Sequence, residues 1–566
     1  MQITTERLED LPFLSGFLNQ SGMPGLLDEH FPVHGSWQGP GYGKTAMGLL
    51  LYVLSEGKHD LYGIESWACE RVEVLKWLLD CPDFKPKHLS DDRLGILLER
   101  FNGQSYESFQ LAHNQGLLKA YELESQSVAR LDSVKAQSFC DANELFGKGH
   151  KQTNKREDLV SLKAMMVDLD PLALPMSTLI VRGNRADDQL YTPAIEKAWA
   201  EGLRRKGMLF VADSKLGNLP NWAFIAHSGN YYLSPLALKQ FSLAELDEAL
   251  NWIEDTQALQ VPFYGHRYEE GELPEGQSQP KAFCAELPSQ TKSDSVTGLS
   301  WQHRLLAVCN VEMRQKQLAS LEQRCEQAII QIQERFIPKR GRKRITAVGQ
   351  AQAIVDQALQ QHKAQGLLEV HIIEPRKAKG HFEVSCALNK EAYQQAQNRA
   401  GWCVYATNAP EQMLGPYDLL RIYRQQFRIE QQFHNLLNKC TALQPILLHK
   451  PNRIEALVRF LAIALQFVAL IQHQTRENMA VRQQPYLTNL IPGNPGRKVY
   501  QPNTAMLLRV FSAIGLVVIT ADDGSVSYHV TGLNSLHQQI VSLAGLRPDT
   551  YLHPSCQRTD RILTEM

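Results

Sequence analysis

The order of apolar runs between Val128 and Asp213 restricts this chain more than any other feature. VARLDSVKA reads as a strand ending around Asp132 to Lys135, and a polar, basic loop (GKGHKQTNKRED) follows it. LVSLKAMMVDLD and LPMSTLIVRGN read as two more strands, joined by a short turn at Asp170 and Pro171. TPAIEKAWAEGLRRK has helical apolar spacing, and GMLFVADSK is an apolar strand that delivers Asp213. The short second link predicts a hairpin. The helix ahead of the fourth strand predicts a crossover to a parallel neighbour, because parallel strands need a long connection. Together they predict a mixed sheet with two carboxylates, Asp132 and Asp213, at strand ends.

A third carboxylate lies far downstream in YRQQFRIEQQF. Tyr423, Phe427, Glu430, Phe433 and Leu437 recur at three- and four-residue steps, so the spacing predicts one helix over 414–439 with these residues on one core-facing stripe. A carboxylate there needs something to compensate its charge, and a metal ion is one such partner. Three oxygen donors suit Mg²⁺. Two such ions can activate a nucleophile and stabilise a leaving oxygen in phosphodiester cleavage. Spacing alone leaves open that these acids are ordinary solvated or capping charges, since the chain carries 60 Asp and Glu.

The remaining segments divide the chain. Residues 1–120 read as a helical N-terminal domain, with Ser90 or Asp91 placed to cap the helix in DRLGILLERF. Residues 121–235 hold the strands above. Residues 236–400 read as an inserted subdomain, with a Gly/Pro/Glu/Ser-rich loop at 265–300, helical patterns at 312–335 and 347–365, and strands LLEVHII and HFEVSCAL. Residues 401–475 bring a strand (GWCVYAT), the Glu430 helix and an apolar helix at 454–472; 476–566 form a small α+β C-terminal region. The 454–472 stretch is interrupted by Glu455, Arg459 and Gln466, which predicts a buried helix and no membrane span.

Composition excludes several classes. The 566 residues are 43% hydrophobic and 21% charged, the balance of a globular multidomain protein. Ten cysteines include no C-x-x-C pair, so no zinc site or disulfide framework is predicted, and a reducing cytoplasm is the expected compartment. MQITTERLEDL lacks a basic-then-apolar leader pattern. Residues 1–115 carry 9 Lys/Arg against 16 Asp/Glu, while the formal charge of the whole chain is −1. A nucleic-acid surface is therefore expected after residue 115, and the acidic first region suits self-association better than DNA contact.

These segments together resemble the DDE-type transposases of bacterial insertion sequences, in the group with a Y-x-x-R-x-x-x-E-x-x-x-x-x-x-K motif and a helical N-terminal domain. YRQQFRIEQQFHNLL followed by LQPILLHKPNRIEALVRFLAIAL resembles that group's Glu helix. RGNRADD, with Gly183, Asn184 and Asp187, resembles its Gly-Asn-x-x-Asp turn. FVADSKLGN and RLDSVKAQSF stand at the two aspartate segments, and WQGPGYGKTAMGLLLYVLS and HLSDDRLGILLERF resemble the preceding helical domain. The likeness runs from about residue 5 to 550. It implies an RNase H-like core with Asp132, Asp213 and Glu430 holding two Mg²⁺ or Mn²⁺ ions. It implies hydrolytic nicking at the element's ends and attack of the freed 3′-hydroxyl on target DNA. The partners implied are double-stranded DNA, as terminal inverted repeats and target, and a second copy of the chain; the place implied is the bacterial cytoplasm, at the nucleoid.

The sequence departs from that motif at named positions. Gln426 stands at the Arg position, flanked by Arg424 and Arg428, and Leu437 at the Lys position, with Lys439 two residues on. Ser133 replaces the usual Thr, and Ser214-Lys215 the usual Arg-Gly. The resemblance implies DNA-phosphate contacts for Tyr423, Arg424 and Arg428. The run Lys339, Arg340, Arg342, Lys343, Arg344 is either a DNA-backbone contact or a solvated loop. Lys148, Lys151, Lys155 and Arg156 form a second basic loop. GPGYGKTA lacks the first glycine of a phosphate loop and reads as a helix entry. The departures keep two other readings open: a non-catalytic DNA-binding derivative, and a nuclease of the same fold without strand transfer.

Overall fold

In the computed structural model every residue of Val160–Leu169 is buried, as expected of a strand covered on both faces. The structure describes residues 1–139, 141–148, 159–258, 260–264, 280–375, 381–434, 436, 443 and 445–555. The chain divides into two units: Met1–Ala212 with Gln426–Met566, and Asp213–Gln425.

The first unit begins with strand β1 (Gln2–Arg7) and a set of helices ending with Gly103–Ala120. Ser90 caps the helix Asp91–Arg100, its side chain accepting from Arg93 N at 3.4 Å. GPGYGKTA opens the helix Tyr42–Glu56, where Thr45 Oγ1 donates back to Gly41 O at 2.8 Å and Lys44 Nζ donates to Asp80 O. The sheet follows: β2 (Val128–Ser138), β3 (Gly147–Lys148), β4 (Val160–Leu169), β5 (Leu174–Arg182) and β6 (Leu209–Val211). β4 pairs antiparallel with β2, β3 and β5, and β6 pairs parallel with β2, so the predicted hairpin and crossover both form. The strand bearing Asp132 is longer than the sequence suggested. Asp132 lies mid-strand, just past Arg130, the last β2 residue that β6 pairs.

The second unit holds an antiparallel sheet. Its strands are β7 (Tyr231–Pro235), β8 (Val261–Phe263), β9 (Ala282–Ser293), β10 (Ser300–Asn310) and, later, the strand Trp402–Thr407. The order is β7, Trp402–Thr407, β10, β9, β8. Of the 265–300 stretch expected as loop, 265–279 lie outside the described residues and Ala282–Ser293 is strand; β9 lies between two partners, and its backbone pairing outweighs its turn-prone composition. Between β10 and the last strand come the helices Val311–Phe336 and Val348–Gln361, the hairpin β11 (Leu368–Ile373) and β12 (Glu383–Leu388), and the helix Lys390–Arg399. Ile332, Phe336, Ala351, Val355 and Phe382 give this part its own apolar core. The strand Trp402–Thr407, now β13, is followed by the helix Pro416–Arg424.

The chain then returns to the first unit with the helices Phe427–His434 and Pro451–Val481. The second of these is long and apolar enough to cross a membrane by length and composition, yet most of its apolar window is buried inside the fold. It packs on β5 and on the helices Tyr42–Glu56 and Asp91–Arg100, with Phe460 stacked on Phe101 at 4.2 Å between ring centres. Gln466, within this helix, is fully enclosed and donates to Pro175 O at 2.6 Å and Asn114 Oδ1 at 3.1 Å. The end of the chain forms β14 (Gly515–Thr520) and β15 (Val526–Thr531), and β14 pairs antiparallel with β1.

Candidate active site

Alternation along β2 places Arg130, Asp132, Val134 and Ala136 on one face and Ser133 and Lys135 on the other. On the second face Ser133 Oγ donates to Asp187 Oδ1 at 2.9 Å, and Lys163 Nζ meets the same oxygen at 2.5 Å. Lys163 is buried on β4, so Asp187 is held by a charge that water barely reaches. The turn that carries Asp187 depends on Gly183, whose N–H donates to Ser161 O at 3.0 Å. A Cβ at that position would stand 2.2 Å from the Ser161 carbonyl oxygen, so only glycine fits. Asp132 is half-buried and accepts from Ser133 N at 2.7 Å.

The first face carries a buried charge network. Arg130 is fully enclosed; its Nε donates to both Asp170 carboxylate oxygens at 2.9 Å and its Nη2 to Oδ2 at 2.6 Å. Its Nη1 donates to Gln426 Oε1 at 3.3 Å. Asp168 sits opposite Arg130 across the ladder, also fully enclosed, with neither oxygen hydrogen-bonded among the described residues. Burial first, then the neighbouring Asp170 and Asp132 charges, push its carboxyl well above the usual range against the pull of Arg130.

The helix Phe427–His434 packs on β2 through Ile429, which joins the cluster of Val134, Ala136, Ala164 and Met166. Its start is fastened twice: Gln426 receives Arg130, and Arg428 Nη1 donates to Pro171 O at 3.0 Å. This differs from the expected continuous stripe. The helix ends at Arg424 and a new one begins at Phe427, which breaks the three- and four-residue register. Ile429 is the buried residue; Glu430, one position on, is exposed, and Phe427 is 44% exposed. Glu430 is therefore no buried charge in need of rescue but a carboxylate presented beside a buried anchor. Leu437 and Lys439 lie outside the described residues, as do Lys151, Lys155 and Arg156.

Asp213 opens the second unit. It caps the short turn Ser214–Leu216, accepting from Lys215 N at 3.0 Å, with Lys215 Nζ 3.8 Å from its Oδ2. Tyr423 stands edge-on to Tyr405 at 4.6 Å, and the Arg424 guanidinium lies 5.0 Å from the Phe263 ring centre. Both are half-buried packing residues within their unit. In the basic run, Arg342 caps the helix Val311–Phe336 by donating to Glu334 O and Ile337 O, while Lys339, Arg340, Lys343 and Arg344 are exposed.

Sequence reasoning passed over Arg130, Lys163, Asp168 and Asp170. Their signal was present: each is a charge inside or at the end of an apolar strand run, where a charge survives only if paired or neutralised. Asp132, Asp213 and Glu430, the ligands expected from the sequence, are all carboxylates, a donor type that suits a hard divalent cation; among the described residues no three His, Cys, Asp or Glu side chains group closely enough to hold a metal.

The family model of the transposase DDE domain matches residues 134–467, more than half of the chain. The chain belongs to the DDE transposase family. It is thus a transposase, of a family of DNA-cutting and joining enzymes that generally use divalent metal ions. The matched range includes Asp213 and Glu430 and begins two residues after Asp132. No curated protein matches the chain. Among solved structures, the chain is similar to a piggyBac transposase in a synaptic complex with hairpin DNA, determined by cryo-EM; identity is 10%, the TM-score 0.32, and coverage 90% of this chain and 82% of that one.

Proposed function

We propose that this transposase cuts DNA at the ends of its element and joins the freed 3′-hydroxyl to target DNA. The core is proposed to be RNase H-like, interrupted by the 236–400 subdomain, as in the bacterial insertion-sequence group. Asp132, Asp213 and Glu430 are the proposed ligands of two Mg²⁺ or Mn²⁺ ions. One observation carries the reading. β6 runs parallel to β2 with Val211 opposite Arg130, and Asp213 and Asp132 each follow that pair by two residues, while the Glu430 helix is anchored on the Asp132 strand.

Bound ions would polarise the scissile phosphate and lower the pKa of the attacking water. The chain's own part is positional. Ser133 N–H and the Asp187–Lys163 clasp fix β2 beside Asp132, and the Arg130–Gln426 and Arg428–Pro171 contacts fix the start of the Glu430 helix. In the first step water oxygen attacks phosphorus and the 3′-oxygen leaves, taking a proton. In the second the 3′-hydroxyl oxygen attacks a target phosphodiester and the target's own 3′-oxygen leaves, taking the proton that the attacking hydroxyl gives up. Tyr423, Arg424 and Arg428 are proposed to contact phosphates near the cut. Residues 1–120 are assigned to end binding or self-association, with a dimer holding two ends together in the cytoplasm.

The test is plasmid excision and strand transfer with Asp132→Ala, Asp213→Ala and Glu430→Ala proteins. Each is expected to lose activity at least about a hundredfold. Parental excision by any one removes that residue from the site. One observation favours a second reading, a DNA-binding derivative that does not cut: Gln426 is spent on a buried arginine, so the motif's Arg position offers no phosphate contact here. Terminal-repeat binding by the parent protein without ion-dependent nicking would establish it.

A further inference from the structure

A cavity of about 280 Å³ opens in the first unit, lined by the turn after β1, the last turn of the helix Tyr42–Glu56, and the helices Pro451–Val481 and Thr504–Arg509. Its buried side is acidic. Asp10 lines it at 7% exposure, with Oδ1 accepting from the Ser55 hydroxyl at 2.6 Å. Among the described residues no other residue donates to this carboxylate. Burial first, then the charges of Glu9 and Glu56, which line the same cavity, push the Asp10 carboxyl up against the Ser55 hydrogen bond. Arg7 and Arg71 bind those glutamates and not Asp10. The carbonyl end of the helix Tyr42–Glu56 adds partial negative charge through its last turn. Leu54, Val468 and Leu508 supply an apolar wall. Arg509 lines the exposed side and forms no ion pair or hydrogen bond among the described residues. The cavity thus holds an enclosed negative pole, an apolar wall and one uncommitted guanidinium.

We infer that this cavity binds a short aliphatic aminocarboxylate, with the ammonium on Asp10 and the carboxylate on Arg509. An ammonium supplies the donors that Asp10 lacks, and its charge offsets those of Glu9 and Glu56. A carboxylate matches the paired N–H groups of a guanidinium. The methylenes between them lie against Leu54, Val468 and Leu508. The volume is at the lower end of small-molecule pockets, roughly 300 Å³, which selects a small ligand. None of Asp132, Asp213 and Glu430 lines the cavity, so the site stands apart from the proposed chemistry.

The experiment is titration calorimetry of the full-length protein at pH 8, above the Asp10 carboxyl at about 7. The probes are 4-aminobutyrate and 6-aminohexanoate. Butylamine, hexylamine, butyrate and hexanoate are the controls with one charged end. At least one probe is expected to bind about tenfold or more tightly than both controls of its chain length. Arg509→Gln should weaken that probe about tenfold and leave the matching amine unchanged, whereas Asp10→Asn should weaken both. Arg509 is exposed, so its variant keeps the fold and tests the site even where Asp10→Asn does not fold. Failure of both probes to bind at millimolar concentration overturns the inference. So does equal binding of a probe and a control with one charged end, or parental affinity in Arg509→Gln. The measurement contains no DNA, so its failure leaves the excision test of the carboxylates standing.

Discussion

Arg130, on β2, donates Nη1 to Gln426 Oε1 at 3.3 Å while the rest of its guanidinium is bound by Asp170. The first turn of the Glu430 helix is thereby joined to the strand that carries Asp132. The residue at the motif's arginine position is here the acceptor for an arginine supplied by the sheet.

Removing the arginine should cost more than removing the glutamine. Arg130→Met strands the buried Asp170 carboxylate and is expected to cost roughly 3–5 kcal/mol, because an unpaired buried charge is worse than no charge. Gln426→Ala should cost about 1 kcal/mol, one hydrogen bond's worth. Gln426→Arg sets two guanidinium groups together and should be less stable than Gln426→Ala. Urea midpoints of the variants rank them, and the reverse order would separate Gln426 from the network.

Glu430 is exposed, so its removal should be silent in folding. Glu430→Gln is expected to stay within about 0.5 kcal/mol of the parent in stability. Its excision activity should nonetheless collapse. A large loss of stability would show that the carboxylate serves the fold.

Gly183 has no room for a methyl group, since a Cβ would meet the Ser161 carbonyl oxygen at 2.2 Å. Gly183→Ala should push the turn off β4 and loosen the Asp187 clasp. The expected cost is about 3 kcal/mol, read from urea unfolding. A parental midpoint would mean that the turn is free to shift.

Asp10 predicts a pH dependence. Burial, opposed by the Ser55 hydroxyl that donates at 2.6 Å, pushes its carboxyl up from 3.8 to about 7. Below about pH 4 both folded and unfolded chains hold the proton. Between about 4 and 7 only the folded chain keeps it, so this contribution to stability falls as pH rises and is gone above 7. Asp10→Asn should flatten the stability profile across that window by roughly 2–4 kcal/mol. A profile with the same slope in both proteins would place the titration elsewhere.

Much of the fold was legible because it is local. The apolar runs Val160–Leu169 and Leu174–Arg182 and a short turn between them announce a hairpin, and helical spacing before Leu209 announces the crossover that makes β6 parallel. Gly183 and Asp187 were visible as a turn. The pairing of β1 with β14 was not, because partners more than five hundred residues apart leave no local signal. The same holds for β9, whose composition resembles a loop and whose pairing comes from both its neighbours.

The sequence by itself determined the order of strands and helix between Val128 and Asp213, the family, and which carboxylates to weigh, since each follows from periodicity and from motifs held within short windows. Only the tertiary structure decided how Glu430 is presented. A break of two residues, Gln425 and Gln426, rotates the second helix off the predicted stripe, so Ile429 is buried and Glu430 is not. That break is set by contacts with Arg130, Asp170 and Pro171, which lie hundreds of residues away in the chain and beside Gln426 and Arg428 only after folding.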